Sequence, residues 1–206
     1  MEYLVTMITH VPEGTSHAAV EDIRAREAAH SLELATDGHL LRLWRPPVQP
    51  GEWRTLGLFE AADRAELESV LASMPLRVWR TDEVATLSPH PNDPGPQAGK
   101  TAPSQGRTGG SEFFTTFTIT VPPGTPSEVF ETTETSEADR ARELARYGSL
   151  LRLWVLSGDG RALGLWWAHD AGEMQGILDS LPLRKWSGLE TIQLAPHPSD
   201  PGLGPR

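Results

Sequence analysis

The strongest constraint on the fold of this 206-residue chain is that it is written twice. Residues 2–45 laid over 112–155 give 18 identities in 44 positions, and residues 54–95 laid over 161–202 give 21 in 42. Val11-Pro12-x-Gly14-Thr15 returns as Val121-Pro122-x-Gly124-Thr125, Pro75-Leu76-Arg77 as Pro182-Leu183-Arg184, and Pro89-His90-Pro91 as Pro196-His197-Pro198. A unit of roughly a hundred residues is domain-sized, so one fold has to serve two copies. The offset falls from 110 to 107 between the two blocks, and the turn-forming residues 46–51, facing Ser157-Gly158-Asp159-Gly160, are where a loop absorbs the difference. Residues 92–110 are mostly Pro, Gly, Ser and Thr and read as an exposed linker. The expected organisation is therefore a first repeat at 1–91, a second at 111–198 and a flexible tail at 199–206.

Each copy runs through the same succession of periodicities. Phe113, Phe117, Ile119 and Val121 alternate with Thr116, Thr118 and Thr120, the period-2 pattern of a half-buried strand, and Tyr3 to Val11 is the counterpart. Ser16 to Thr36 and Ser127 to Tyr147 start at a residue able to cap a helix, lack interior Gly and Pro, and stop at Gly38 and Gly148. Leu40 to Trp44 and Leu150 to Trp154 are short and β-rich, and each is followed by a turn and by Arg54 to Phe59 or Ala162 to Trp167. Asp63-x-x-Glu66 and Asp170-x-x-Glu173 mark second helices, which end at Pro75 and Pro182; Val78 to Leu87 and Lys185 to Leu194 form the last strands. This order is the split βαββαβ ferredoxin-like arrangement, an α+β fold with two helices on one face of an antiparallel sheet. The other face is bare, and Phe113, Phe117, Trp154 and Trp166 or Trp167 are expected to make it apolar. The two repeats are therefore expected to cover each other as a pseudo-dimer.

Composition removes several functions. With no Cys there is no disulfide, thiolate metal site or cysteine nucleophile. The net charge is −10, and residues 1–95 carry 8 basic against 15 acidic side chains while 112–202 carry 7 against 13, so neither copy offers nucleic acid a basic face. The longest apolar runs are a handful of residues, far short of the ~20 of a membrane span. Met1 to His10 alternates in polarity instead of showing a secretory leader, and a cytoplasmic location is expected. Only His90 and His197 recur among the histidines, each between prolines and with no ligand but Asp93 or Asp200 at hand, so no metal site is expected. Lys100 and Lys185 are the only lysines, which leaves no natural Schiff-base candidate, and no glycine-rich loop between a strand and a helix cradles a phosphate. Gly57 and Gly164 are lone strand glycines that suggest a bulge or a close approach.

A strand ending in Val-Pro-x-Gly, a long helix carrying Glu27 or Glu137, Gly-x-Leu-Leu-Arg-Leu-Trp, Pro-Leu before the last strand and Pro-His-Pro after it occur twice in one order and spacing. This succession resembles the muconolactone Δ-isomerase family, and the likeness covers nearly all of the chain outside the linker. The resemblance implies the dimeric α/β-barrel type of ferredoxin-like fold and assembly into a ring-like homo-oligomer. It also implies cofactor-free migration of a carbon–carbon double bond in an unsaturated lactone during aromatic catabolism. The acidic-Lys-acidic run on the family's first helix has its leading Glu at Glu27 and Glu137, with Ala28 and Ala138 at the Lys position. Of the family's Arg-Leu-Trp-Arg, the first copy keeps Arg42 and Arg45, while the second keeps Arg152 and has Val155.

Moving a double bond needs a group that takes a proton from carbon and returns it two atoms away, with positive charge to hold the intervening enolate. Glu27 and Glu137 are the candidate proton carriers, provided their helix faces an apolar recess that raises their pKa; otherwise they are solvated helix glutamates. Arg42 and Arg152 lie within short apolar strands, where a guanidinium needs a partner: a substrate anion or enolate, or a fixed ion pair inside the fold. Trp44 and Trp154 are pocket wall or core, and Arg45, Tyr3 and His10 complete the candidate substrate-binding set. Tyr3 and His10 are replaced by Phe113 and Thr120, which confines any polar role of theirs to one half. The expected partners are a small-molecule substrate and further copies of the chain, without nucleic acid, membrane or cofactor. Two other readings stay open: the scaffold adapted to isomerisation or cyclisation of another small apolar metabolite, and a non-catalytic ligand-binding or assembly protein.

Overall fold

The computed structural model describes residues 1–96, 109–158 and 160–203. Most of the expected linker, residues 97–108, and the end of the expected tail, residues 204–206, lie outside the described residues. The elements are β1 (Glu2–Thr9), α1 (His17–Thr36), β2 (Leu40–Arg45), β3 (Trp53–Glu60), α2 (Arg64–Ser73) and β4 (Arg80–Pro89). They recur as β5 (Ser111–Ile119), α3 (Ser127–Arg146), β6 (Leu150–Leu156), β7 (Ala162–Ala168), α4 (Ala171–Asp179) and β8 (Ser187–Pro196). Both repeats thus adopt the antiparallel βαββαβ ferredoxin-like order.

Local chemistry accounts for most boundaries. The Ser16 side chain accepts the Ala19 N–H at 3.2 Å at the start of α1, and Gly38 takes up a left-handed φ of 82° just past its end. The Asp63 carboxyl accepts the Glu66 N–H at 2.9 Å while Glu66 reaches back to the Ala62 N–H, and Asp170 with Glu173 repeats this reciprocal cap. Helix α3 departs from expectation, because Pro126 occupies its cap position and makes no side-chain hydrogen bond, so Ser127 is the first helical residue. The last strands begin two residues later than the apolar pattern suggested. Pro75 and Pro182 each open a 3-10 turn, Pro75–Trp79 and Pro182–Trp186, before extended backbone resumes at Arg80 and Ser187.

Two compact units result, and their limits differ from the repeat limits at 91, 111 and 198. Unit 1 joins Met1–Leu87 to the segment from Ala195 onward, and unit 2 is Ser88–Leu194. The Pro-His-Pro segment closing each repeat therefore belongs with the strands of the other repeat: the His197 N–H donates to the Leu43 carbonyl in unit 1, and the His90 N–H to the Leu153 carbonyl in unit 2. In unit 1, β1 lies between β3 and β4, with Tyr3 opposite Phe59 and Thr86, and β2 pairs with β3 around an irregularity between Leu40 and Arg42. Tyr3, Val5 and Met7 face inward and pack with Leu34, Leu67 and Leu71 from the two helices. Gly57 is needed there because a Cβ would lie 2.4 Å from the Phe59 ring.

Unit 2 repeats this layout, with β5 between β7 and β8 and β6 on β7. Phe113, Phe117 and Trp166 pack with Leu144 of α3 and Met174 and Ile177 of α4. These rings were expected on the bare face; the register of β5 and β7 instead turns them under the helices, while Trp154 is fully buried outside that cluster.

Candidate active site

The candidate chemistry starts on the inner face of α1, where Arg24, Glu27, Ala28 and Ser31 follow at helical spacing and line one cleft of unit 1. Only 13% of the Glu27 side chain is exposed. Its Oε2 accepts the Leu76 N–H at 2.8 Å, a donor left over by the first turn of the Pro75–Trp79 segment. Its Oε1 lies 3.2 Å from Nη1 of Arg80. Arg80 is held in turn by Asp82, two residues along the same strand, through Nε to Oδ1 at 2.6 Å and Nη2 to Oδ2 at 3.1 Å, and Asp82 also takes Nη1 of Arg77 at 2.8 Å. Both Arg80 and Asp82 are almost wholly buried. Burial raises the Glu27 pKa above the ordinary carboxylate value, against the opposing pull of the Leu76 N–H and of Arg80.

The cleft measures about 290 Å³ and is walled by Met7, Leu43, Trp53, Met74 and Leu76, with Thr9, Thr55 and Ser31 supplying hydroxyls. The exposed Arg24 and Arg45 stand at its rim, Arg24 bonded to Glu21 at 3.0 Å and lying over the Trp53 ring at 5.5 Å. His197 lines the same cleft. Its Nδ1 accepts the Ser199 N–H at 3.2 Å, which leaves the ring proton on Nε2. Burial, with Arg45 next, pushes its pKa down to about 4, so the ring is neutral. A wider hollow along α3, lined by Ser136, Asp139, Arg140 and Arg146 among others, is an open charged surface and holds none of the candidate residues.

The other expected site residues fall into three groups. Arg45 lines the cleft. Arg42 and Arg152 do not; each has found the fixed ion pair, with a partner that is neither Glu27 nor Glu137. Asp200, with no side-chain exposure, binds Nε and Nη2 of Arg42 at 3.1 Å each and also accepts the Leu43 N–H at 2.9 Å. Asp93 does the same for Arg152 at 3.2 Å and the Leu153 N–H at 2.8 Å. The two guanidinium groups lie over Trp44 and Trp154, which are fully buried core rings and not cleft wall. Tyr3 is buried with its hydroxyl 3.8 Å from the Met1 sulfur, and His10 is exposed at the end of β1; neither lines the cleft.

Glu137 reproduces part of the Glu27 arrangement. Its Oε2 accepts the Leu183 N–H at 2.8 Å and burial raises its pKa, but Ser187 stands where Arg80 stands in unit 1. Arg80, Asp82, Arg24 and the Asp93 and Asp200 anchors were not foreseen as site or support residues. For the anchors a signal existed, since repeat identity continues through Asp93-Pro94-Gly95 and Asp200-Pro201-Gly202. Arg80 and Asp82 are absent from the second copy, so comparing the repeats could not mark them.

The family model described as muconolactone delta-isomerase matches residues 1–93 and again 111–200. The chain belongs to that family. A muconolactone delta-isomerase of Cupriavidus pinatubonensis is 32% identical over 92 residues, 45% of this chain and 97% of that protein. Muconolactone delta-isomerase 1 of Acinetobacter lwoffii is 30% identical over 92 residues, 45% of this chain and 93% of that protein. Each of these muconolactone isomerases is thus matched nearly end to end by about half of this chain. Among solved structures, a heme-binding protein from Thermus thermophilus superposes with a TM-score of 0.59 at 12% identity, covering 97% of this chain and 93% of that one. A chlorite dismutase variant from Candidatus Nitrospira defluvii gives 0.57 at 11%, covering 94% and 91%. At such identities the likeness is one of fold. Among the described residues no group of three or more His, Asp or Glu side chains could hold a metal ion, and no helix is long and apolar enough to cross a membrane.

Proposed function

We propose that the unit 1 cleft isomerises a small unsaturated lactone carboxylate by moving its carbon–carbon double bond, with Glu27 as the proton carrier. The observation that carries this reading is the Glu27 carboxyl, desolvated in an apolar recess and set against the buried Arg80. Ionised Glu27 takes the proton from the γ carbon of an α,β-unsaturated lactone, and the released electron pair spreads over the ring onto the carbonyl oxygen. The protonated Glu27 then returns the proton at the α carbon, leaving the double bond between β and γ. Every step is a proton transfer, so electrons balance within the substrate. A carboxyl with a raised pKa suits both halves of the cycle, because a stronger acid would be too weak a base towards carbon.

Arg80 supplies positive charge beside the reacting centre, and its own pairing with Asp82 fixes its position before substrate arrives. The support for a cleft that accepts a substrate of this size is its lining of Met7, Leu43 and Trp53. Assembly of the chain into a homo-oligomer is part of the same reading and is checked by light scattering on the eluting protein. The deciding experiment follows isomerisation of an unsaturated γ-lactone acetate in deuterated water. Wild type is expected to place deuterium at the α carbon to the extent that the protonated Glu27 exchanges with solvent before it returns the proton, and E27Q to lose both isomerisation and exchange while keeping its circular dichroism. Exchange retained in E27Q would overturn the assignment.

A further inference from the structure

The two repeats have diverged most tellingly at the rim of the cleft. Arg24 and Arg45 flank the unit 1 cleft together with Glu21. The aligned positions of the second repeat are Glu134, Val155 and Glu131. Two guanidinium groups and one carboxylate in unit 1 thus become two carboxylates and an isopropyl group. The histidine does not change: Nδ1 of His90 accepts the Asn92 N–H at 3.1 Å, as Nδ1 of His197 accepts that of Ser199. Both rings offer an Nε2–H donor, but only His197 does so among cations. Beneath the rim the same polarity is lost, since Arg80, Thr9 and Thr55 correspond to Ser187, Ile119 and Ala162.

We propose that the rim of Arg24, Arg45 and the His197 Nε2–H is a carboxylate-binding site, that unit 2 has no equivalent, and that each chain therefore binds one molecule of acid. The chemistry is that of planar guanidinium groups meeting a planar carboxylate, with a neutral imidazole N–H as third donor. Arg24 is already oriented by Glu21 and Trp53, so little freedom is lost when the anion arrives. The apolar body of the ligand then lies along Met7, Leu43 and Trp53 towards Glu27. In the second repeat, Glu131 and Glu134 would repel the same anion. This inference rests on the proposed isomerase reading for the direction of the ligand, but binding alone tests it.

The probe is the saturated γ-lactone acetate, which has no double bond to move, with its methyl ester as the uncharged control. Isothermal titration is expected to give one acid per chain, with the ester bound at least about tenfold more weakly. R24Q and R45Q, both changes at exposed positions, are each expected to weaken the acid about tenfold and to leave the ester unchanged. Two acids per chain, or acid and ester bound alike, would overturn the proposal. One acid per chain bound through Arg24 and Arg45, without isomerisation of the unsaturated lactone, would leave this site standing and remove the isomerase reading.

Discussion

The Glu27 carboxyl accepts the backbone N–H of Leu76 at 2.8 Å, from a residue 49 positions further along the chain. Glu137 accepts the N–H of Leu183 at the same distance. A proline-initiated 3-10 turn supplies the donor each time, so the bond needs no particular side chain at Leu76 and survived divergence of the repeats. Only around Glu27 is this cradle completed by a buried cation.

The pH profile of turnover follows from that cradle. In the proposed isomerisation Glu27 has to be ionised to take the first proton, so the acid limb of kcat/KM is expected above the ordinary Glu value of 4.5, because burial is the largest influence on this group. Arg80 pulls the same pKa down. In R80Q the acid limb is therefore expected to move to higher pH, and the plateau rate to fall by about 10²–10³. A limb that stayed in place in R80Q would separate Arg80 from the proton carrier. Because R80Q leaves the buried Asp82 with less charge around it, R80K is the companion variant; it is expected to hold the limb near its wild-type position.

Glu137 gives a stability prediction with a definite sign. Its folded pKa is raised by burial, whereas in the unfolded chain it titrates near 4.5. The folded state holds the proton to higher pH, so stability falls as pH rises from that value through the folded pKa, and the penalty is complete above it. E137Q keeps an acceptor for the Leu183 N–H and removes the charge. Its melting temperature is expected to exceed that of wild type at pH 8 and to converge with it at pH 4. An E137Q protein less stable than wild type at pH 8 would mean that the ionised carboxylate has a favourable partner.

Asp200 anchors the segment that brings His197 to the cleft. Its carboxylate is inaccessible to solvent and is shared by Arg42, the Leu43 N–H and the Gly202 N–H. Removing one partner of a buried pair leaves the other charge stranded, and D200N is expected to cost about 3–5 kcal/mol in chemical denaturation. R64Q, which breaks the exposed Arg64–Glu68 pair, is expected to change stability by less than about 0.5 kcal/mol. Equal effects of the two would show that the Arg42 pair contributes no more than a surface contact.

Element order was legible because its signals are local: strand alternation in β1 and β5, capping carboxyls at Asp63 and Asp170, glycines past α1 and α3. The buried arginines were legible only as a demand. Arg42 and Arg152 in apolar strands require partners, yet those partners are 158 and 59 residues away in segments whose Pro- and Gly-rich composition resembles linker and tail. Composition reports the cost of ordering a segment, whereas a single carboxylate with four donors offsets that cost. Arg80 was illegible for another reason. Repeat comparison rewards what both copies keep, and Arg80 and Asp82 are carried by only one copy, with Ser187 and Leu189 in the other.

His197 should be the clearest titrating group at the cleft. Its pKa is lowered to about 4, with burial the largest cause, Arg45 and Arg24 acting in the same direction and Asp200 opposing them. In the unfolded chain the ring takes up a proton near pH 6.5, while in the folded protein it stays neutral until about pH 4. The unfolded state therefore binds the extra proton across that window, and the stability present above pH 6.5 is lost progressively on acidification towards pH 4. The ring resonances of His197 are expected to titrate well below pH 6.5, near pH 4. In R45Q the His197 midpoint is expected to rise, since one of the cations disfavouring the charged ring is gone. A midpoint unmoved by R45Q would mean that Arg45 points away from the ring in solution, and with it the rim would lose the cation on which the bound carboxylate depends.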